Sequence, residues 1–300
     1  MRTDKGKIIR GVGGFYYVVT RDATIYECRA KGIFRKDDVK PLVGDDVMIG
    51  ILDEENRLGN VDEILPRKNA LIRPPVANVD QAMVVVSAKS PGLNRGLLDR
   101  FLLMMEVRNI PVWICLTKTD LVNDTFVRGF VSVYEKCSEG VLAVSNVDGS
   151  GIRDVRMCMK GKTTVLAGPS GVGKSSLVGH ICPDAAPETG VISKKTQRGK
   201  HTTRHSELFM IAEDTFLFDT PGFSSLALPE LLPEELSAYM PEFDEYRDGC
   251  RYRMCTHIHE PDCAVISAVG DTIDEKRYES YKMFFAELNE RAVKEGRSSR

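Results

Sequence analysis

Gly168-Pro169-Ser170-Gly171-Val172-Gly173-Lys174-Ser175 fits the pattern G-x4-G-K-[ST] without deviation. An apolar run, Thr163–Leu166, precedes it, and a helical stretch through Ser176 and Leu177 follows. A strand that turns on glycines into a helix is the setting in which this pattern holds phosphate. Glycines let backbone N–H groups turn inward onto phosphate oxygens. The helix N-terminus adds positive potential. Lys174 is placed to reach the β- and γ-phosphates, and the Ser175 hydroxyl to ligate Mg²⁺. The motif therefore predicts a parallel α/β domain around a nucleotide. By itself it does not choose ATP over GTP, or a kinase over a hydrolase or a switch.

Working outward, the apolar strand Thr215–Phe218 runs into Asp219-Thr220-Pro221-Gly222. An aspartate at the end of a neighbouring strand can hold Mg²⁺, and the N–H of Gly222 is placed to sense the γ-phosphate. Upstream, Val112–Leu116 is followed by Thr117-Lys118-Thr119-Asp120. This resembles the N-K-x-D element of GTPases. There the aspartate accepts from guanine N1 and N2 while the lysine stem covers the purine face. A site built to pair such an edge rejects the base lacking it. Thr117 stands where asparagine is usual. That departure bears on the asparagine's bracing contacts to the phosphate loop, not on base reading by Asp120. Ser145-Asn146, after the strand Val141–Val144, matches the short loop whose backbone touches the guanine oxygen, with Asn146 in place of alanine. The order is reversed: base-reading elements come before the phosphate loop. A parallel sheet tolerates this if the old ends are joined and a new opening is made.

The flanks have other textures. In residues 1–72, Phe15–Thr20, Thr24–Ala30, Asp45–Ile51 and Asn60–Ile64 are β-branched or aromatic runs, punctuated by Gly13-Gly14, Arg21-Asp22, Pro41 and Asn56. They predict an all-β, OB-fold-like barrel. Pro66 to Pro75 reads as a linker into the α/β domain, 73–229. There the further strands are Gln81–Val86 and Leu208–Ile211. Its helices are expected near Gly96–Arg108, Phe126–Cys137, Gly151–Met159 and Lys174–Ile181. In 230–300, helices are expected over Pro233–Met240, with proline in the first turn, and Asp274–Val293, whose Tyr278, Tyr281, Phe285 and Leu288 recur at helical spacing.

Cys250-x4-Cys255-x-His257-x5-Cys263 supplies three thiolates and an imidazole, a closed tetrahedral set for one structural Zn²⁺. His259 is a rival ligand. The other five of the eight cysteines are scattered, and in a reducing compartment such clustering argues for metal over disulfides. No segment approaches the roughly 18 apolar residues of a membrane span. Residues 1–10 have basic charge without an apolar stretch behind it, so no secretory signal is read, and the cytosol is the expected location. Net charge is −2, which does not advertise nucleic acid in bulk. Locally, Lys194, Lys195, Arg198, Lys200 and Arg204 make a basic window without an acid.

The ordered set T-K-T-D, G-P-S-G-V-G-K-S-S, R-G-K-H-T-T-R-H (198–205), D-T-P-G-F and C-x4-C-T-H-x5-C resembles one family over nearly the whole chain: the circularly permuted ribosome small-subunit-dependent GTPase A (RsgA). The resemblance implies an N-terminal OB-fold, a permuted P-loop GTPase domain and a mainly helical C-terminal zinc domain. It implies GTP hydrolysis to GDP with Mg²⁺, stimulated by the small ribosomal subunit. The implied role is in that subunit's late maturation, with rRNA contact and release on hydrolysis. The expected protein is a cytoplasmic monomer with no membrane partner. The implied nucleotide site falls on Thr117 to Asp120, Gly168 to Ser176, and Asp219 with Gly222. Residues 198–205 lie where GTPases keep a switch, and either Thr202 or Thr203 completes the Mg²⁺ shell. Phe223 occupies the position at which Ras-like enzymes place a water-orienting glutamine. That leaves His201 as the local candidate to orient or deprotonate water, its other reading being a contact to RNA. A competing reading is an RNA-binding module switched by nucleotide with negligible turnover. A P-loop ATP-dependent kinase would have no use for Asp120.

Overall fold

A computed structural model describes residues 2–30, 40–72, 75–182, 207–219 and 226–296. Five strands, β1 (Arg2–Val12), β2 (Phe15–Thr20), β3 (Ile25–Ala30), β4 (Asp46–Asp53) and β5 (Leu58–Ile64), close into a barrel of order β1-β2-β3-β5-β4. The pairs are antiparallel except β3 with β5, which is parallel. This is the Greek-key barrel order of an OB-fold. Ile8, Val18, Tyr26, Val47, Ile49 and Val61 fill the interior. β1 was not foreseen from its sequence. Its charged residues Arg2, Asp4, Lys5, Lys7 and Arg10 mask an alternation that places Gly6 and Ile8 inward. The stretch expected as a linker carries a short antiparallel pair, β6 (Ala70–Ile72) with β7 (Pro75–Ala77).

The following elements are β8 (Gln81–Ser87), α1 (Arg95–Glu106), β9 (Val112–Thr117), α2 (Asp124–Tyr134), β10 (Gly140–Ala143), α3 (Ile152–Met159), β11 (Thr163–Ala167), α4 (Lys174–Ile181), β12 (Leu208–Ala212) and β13 (Thr215–Asp219). Their six strands form one sheet of order β10-β9-β8-β11-β13-β12. β9 with β10 and β11 with β13 are parallel, and β12 is an antiparallel edge. Every residue of β8 is buried, as a strand covered on both faces requires. The expected helix beyond residue 230 is instead a 3₁₀ segment, Pro233–Tyr239. Pro233, Leu236 and Tyr239 recur every third residue, which matches three residues per turn and not 3.6. Then come α5 (Asp244–Arg247), α6 (Ala264–Ala268) and α7 (Glu275–Lys294), the last capped by Asp274 through the N–H groups of Lys276 and Arg277.

The chain forms two compact units. One comprises Met1–Ala82, Ile152–Ala167 and Lys174–Pro221; the other comprises Met83–Gly151, Gly168–Gly173 and Gly222–Arg300. Within the first, the barrel meets β12 through an Arg10–Glu207 bridge, and Lys7 lies over the Phe216 ring. Within the second, α1 packs on α7. Arg277 is buried between Asp99 and Glu242, at 2.8 and 2.7 Å, and Arg100 pairs with both carboxylate oxygens of Glu287. Leu103 of α1 enters the same core as Leu236, Phe243, Tyr281 and Phe284.

Candidate functional site

In the second unit the phosphate loop's turn, Gly168 to Gly173, is gripped from two strand ends. The Thr117 hydroxyl lies 2.5 Å from the Val172 carbonyl and 3.0 Å from that of Val86. The ammonium of Lys118 donates to the carbonyls of Gly171, at 2.9 Å, and Ser90. The side-chain amide of Asn146 donates to the Gly173 carbonyl at 3.3 Å. Thus the threonine braces the loop where the usual asparagine is missing. Thr119 and exposed Asp120 form a single 3₁₀ turn directly after β9, and Thr119 N–H bonds Val144 O at 3.3 Å. Ser145 is buried. Its hydroxyl accepts from Val147 N–H, at 3.2 Å, and Asp148 N–H, fixing the loop after β10.

The turn needs its glycines. Gly168 has φ +148°, and a Cβ there would stand 2.3 Å from the Val85 carbonyl oxygen. Gly173 has φ +99°, and its Cβ would meet the Asn146 amide at 2.9 Å. Both have a left-handed backbone; at Gly168 the Val85 peptide leaves no room for a side chain, and at Gly173 a Cβ would displace the Asn146 amide. Pro169 is half-buried, Ser170 and Gly171 are exposed, and Val172 is buried under the turn. The loop thus turns an accessible backbone surface outward on a fixed base.

In the first unit, Lys174 opens α4, with Ser175 and Ser176 exposed in its first turn. Register pairs Leu166 of β11 with Asp219 at the end of β13. Burial lowers the pKa of Lys174, and Asp219 partly offsets that effect. Burial raises the pKa of Asp219, offset in turn by Lys174. Asp219 Oδ1 is buried without a hydrogen-bond partner among the described residues. An orphaned buried carboxylate oxygen costs free energy unless a cation or bound water satisfies it. The residue thus fits a role in holding Mg²⁺. His201, Thr202, Thr203 and Gly222, together with the basic window and Phe223, lie outside the described residues.

The second cluster is Cys250, Cys255, His257 and Cys263, whose donor atoms all lie within 4.8 Å of one another. Cys250 Sγ is 3.8 Å from Cys263 Sγ and 3.6 Å from His257 Nδ1, which is 3.4 Å from Cys263 Sγ. A tetrahedral zinc with ordinary Zn–S and Zn–N bonds spaces its ligands by about 3.5–3.8 Å, so the donor set fits that ion. His259 is exposed and outside the cluster.

Sequence reading missed the supports of this knuckle. Glu260 accepts from Thr256 N–H and its hydroxyl, and from the N–H groups of Ile258 and His259. Burial pushes this carboxyl upward. The hydrogen bonds from Thr256 and the neighbouring backbone outweigh that and bring its pKa down to about 2. Tyr278 and Tyr281 of α7 donate to the carbonyls of His257 and Thr256, at 2.8 and 2.5 Å. A carboxylate between two metal ligands is a usable signal; the tyrosines show in the sequence only as residues at helical spacing. The other omission is the loop after β8. There the Ser87 hydroxyl donates to the Ser90 carbonyl that also receives Lys118. Nothing in its sequence advertises that meeting.

Comparison with known proteins gives one consistent answer. The family described as RsgA GTPase matches residues 64–229, and the RsgA N-terminal domain matches residues 5–58. A protein of Agathobacter rectalis named small ribosomal subunit biogenesis GTPase RsgA is 48% identical over 95% of this chain and 98% of its own length. One of the same name from Alkaliphilus metalliredigens is 46% identical over 95% and 97%. Among solved structures, YjeQ from Thermotoga maritima matches with TM-score 0.81 and 32% identity, covering 96% of this chain and 99% of that one. YloQ, described as a circularly permuted GTPase, matches with TM-score 0.80 and 36% identity, covering 97% and 96%.

Proposed function

The chain belongs to the RsgA GTPase family and is a GTPase, and from that premise we propose that its GTP cycle times a late step in maturation of the small ribosomal subunit. The factor binds that subunit and its rRNA in the GTP state and leaves after hydrolysis, acting in the cytoplasm as a monomer. In this reading 1–72 contacts the ribosome, 73–229 hydrolyses GTP and 230–300 is held by one structural zinc ion. The observation that carries it is the convergence of Thr117, Lys118 and Asn146 on the carbonyls of Val172, Gly171 and Gly173. Motifs in reversed order meet on one loop, which is what guanine reading in a permuted domain requires.

The chemistry follows from the side chains. Asp120, on the turn after β9, accepts from the guanine edge, and the Lys118 stem covers the base. Loop amides between Gly168 and Gly173 receive phosphate oxygens. The partly buried ammonium of Lys174 stabilises charge developing between the β- and γ-phosphates, where low dielectric strengthens the attraction. Ser175, Asp219 and a switch threonine, Thr202 or Thr203, would hold Mg²⁺, which when bound withdraws charge from the phosphate oxygens. His201 orients the attacking water. With Phe223 unable to do so, basal turnover is slow and rises when the small ribosomal subunit is bound.

Phosphate release should therefore climb steeply as purified small subunits are titrated in and stay flat with large subunits. Equal turnover with and without small subunits would return the chain to the reading of a nucleotide-switched RNA-binding module. Asp120→Asn should lower GTP affinity about a hundredfold, the scale of two hydrogen bonds to a charged group, and confer binding of xanthosine nucleotides. Unchanged GTP affinity would remove Asp120 from the site.

A further inference from the structure

Two side chains touch the far end of the phosphate loop, and both depart from the residue types usual in the motifs they belong to. The first position of T-K-T-D holds a hydroxyl where GTPases carry a carboxamide. The second position of the loop after β10 holds a carboxamide where alanine is usual. In the structure both are aimed at adjacent peptides. Thr117 Oγ1 is 2.5 Å from the Val172 carbonyl, and Asn146 Nδ2 is 3.3 Å from the Gly173 carbonyl. A Cβ placed on Gly173 would lie 2.9 Å from Asn146 Nδ2 and 3.8 Å from Thr117 Oγ1, so the two side chains flank one residue. The group facing Gly173 O must be the NH₂ end of the amide, since an oxygen there would oppose another oxygen.

A threonine at 117 is too short for both tasks. Its hydroxyl has one proton for the carbonyls of Val86 and Val172, and none is left for Gly173. Gly173 is the residue at which the loop enters α4, and with φ +99° its peptide is held by contacts and not by side-chain sterics. A carboxamide reaching it from the neighbouring strand end supplies the missing donor.

We propose that Asn146 is a positioning residue for the phosphate loop: its carboxamide completes, from the loop after β10, the bracing that asparagine supplies from the first position of N-K-x-D, adding a hydrogen bond to Gly173 for which the Thr117 hydroxyl, spent on Val86 and Val172, has no proton left. This deepens the guanine-nucleotide reading above and rests on it. In this reading the amide acts through Gly173, and guanine is met by the backbone of residues 145–146.

The test is an exchange, read by equilibrium binding of a fluorescent GDP to the full chain. Asn146→Ala should weaken GDP binding about fivefold, the range of one neutral hydrogen bond. Asn146→Asp, which faces the Gly173 carbonyl with an acceptor, should bind more weakly still. Adding Thr117→Asn to Asn146→Ala restores the usual pairing of residue types and should return affinity to within about twofold of the native chain. Thr117→Asn alone should bring no gain, since the Gly173 carbonyl is already occupied. Unchanged affinity in Asn146→Ala, tighter binding by Asn146→Asp than by the alanine variant, or absence of rescue in the double variant would each overturn the proposal. Should Asn146→Ala not fold, the double variant carries the test alone: native-level binding supports the exchange, and failure to fold or bind overturns it. If the native chain itself bound no guanine nucleotide, the broader reading would fail, an outcome distinct from native binding with an inert Asn146.

Discussion

The phosphate loop and the metal knuckle are both short irregular segments shaped around a charge, and they are held in opposite ways. The knuckle takes all four donors from residues 250 to 263, and Glu260 in their midst ties down three neighbouring N–H groups. The phosphate loop's turn is gripped by side chains 27, 53 and 55 residues away in sequence. One is organised by its own chain, with a donor set that fits one ion; the other is organised by the ends of neighbouring strands. The difference explains how the nucleotide domain survives permutation. A loop whose braces come from strand ends is indifferent to chain order, so long as the strands keep their places in the sheet. A knuckle whose ligands lie in one window could not be cut without losing its ligand set.

The contrast is tested most severely by removing the metal. Titration with a chelator should release one zinc ion per chain and cooperatively melt the core around Phe243, Tyr281 and Phe284, since structural zinc contributes on the order of 10 kcal/mol in small knuckles. GDP affinity should fall far less. An unaltered thermal melt in the metal-free chain would break the contrast, because the knuckle would then be held by its surroundings, as the loop is.

The seam between α1 and α7 gives the next largest effect. Arg277 is 4% exposed between Asp99 and Glu242, whose side chains are 0% and 6% exposed. Arg277→Ala leaves two buried carboxylates unpaired and should cost about 3–5 kcal/mol in urea denaturation. Adding Asp99→Asn and Glu242→Gln should recover part of it. A loss below about 1 kcal/mol would mean that water already reaches the pair.

The smallest effect is a matter of pH. The hydrogen bond from Arg100 lowers the pKa of Glu287 below its usual value, helped by the nearby positive charge and opposed by burial. A carboxylate whose folded pKa is depressed stabilises the fold above its unfolded pKa and loses that contribution as pH falls through the folded value. The native chain should thus exceed Glu287→Gln in stability at neutral pH by about 0.5 kcal/mol, the scale of a partly exposed ion pair. The gap should close in acid, with salt reducing it throughout. A gap that widened as pH fell would reverse the assigned sign.

Much of this was legible because the chemistry requires particular residue types at fixed spacing. G-x4-G-K-S needs glycine where φ is positive and where Val85 leaves no room for a Cβ. Cys-Cys-His-Cys in one window is the donor set of a tetrahedral metal site. The α/β strands announced themselves as apolar runs, β8 most clearly because both its faces are buried. β1 did not, since its exposed charges hide a half-buried face. The 3₁₀ segment at Pro233–Tyr239 looks like an ordinary helix in sequence because periods of three and 3.6 differ little over seven residues.

Residue types along the chain mark the phosphate-loop motif, the reversed order of the motifs, the metal-compatible donor set and the family. Each is a property of residue identity along the chain, which local backbone geometry and ligand chemistry make readable. What holds the loop in place emerges from the folded chain: Thr117 braces it, Asn146 supplies an amide to Gly173, and Lys118 ties Gly171 to Ser90; so does the joining of α1 to α7 by Arg277. Those are meetings of side chains with backbone carbonyls and carboxylates remote in sequence. A carbonyl is the same at every residue, so no pattern of letters marks the one that will be bound.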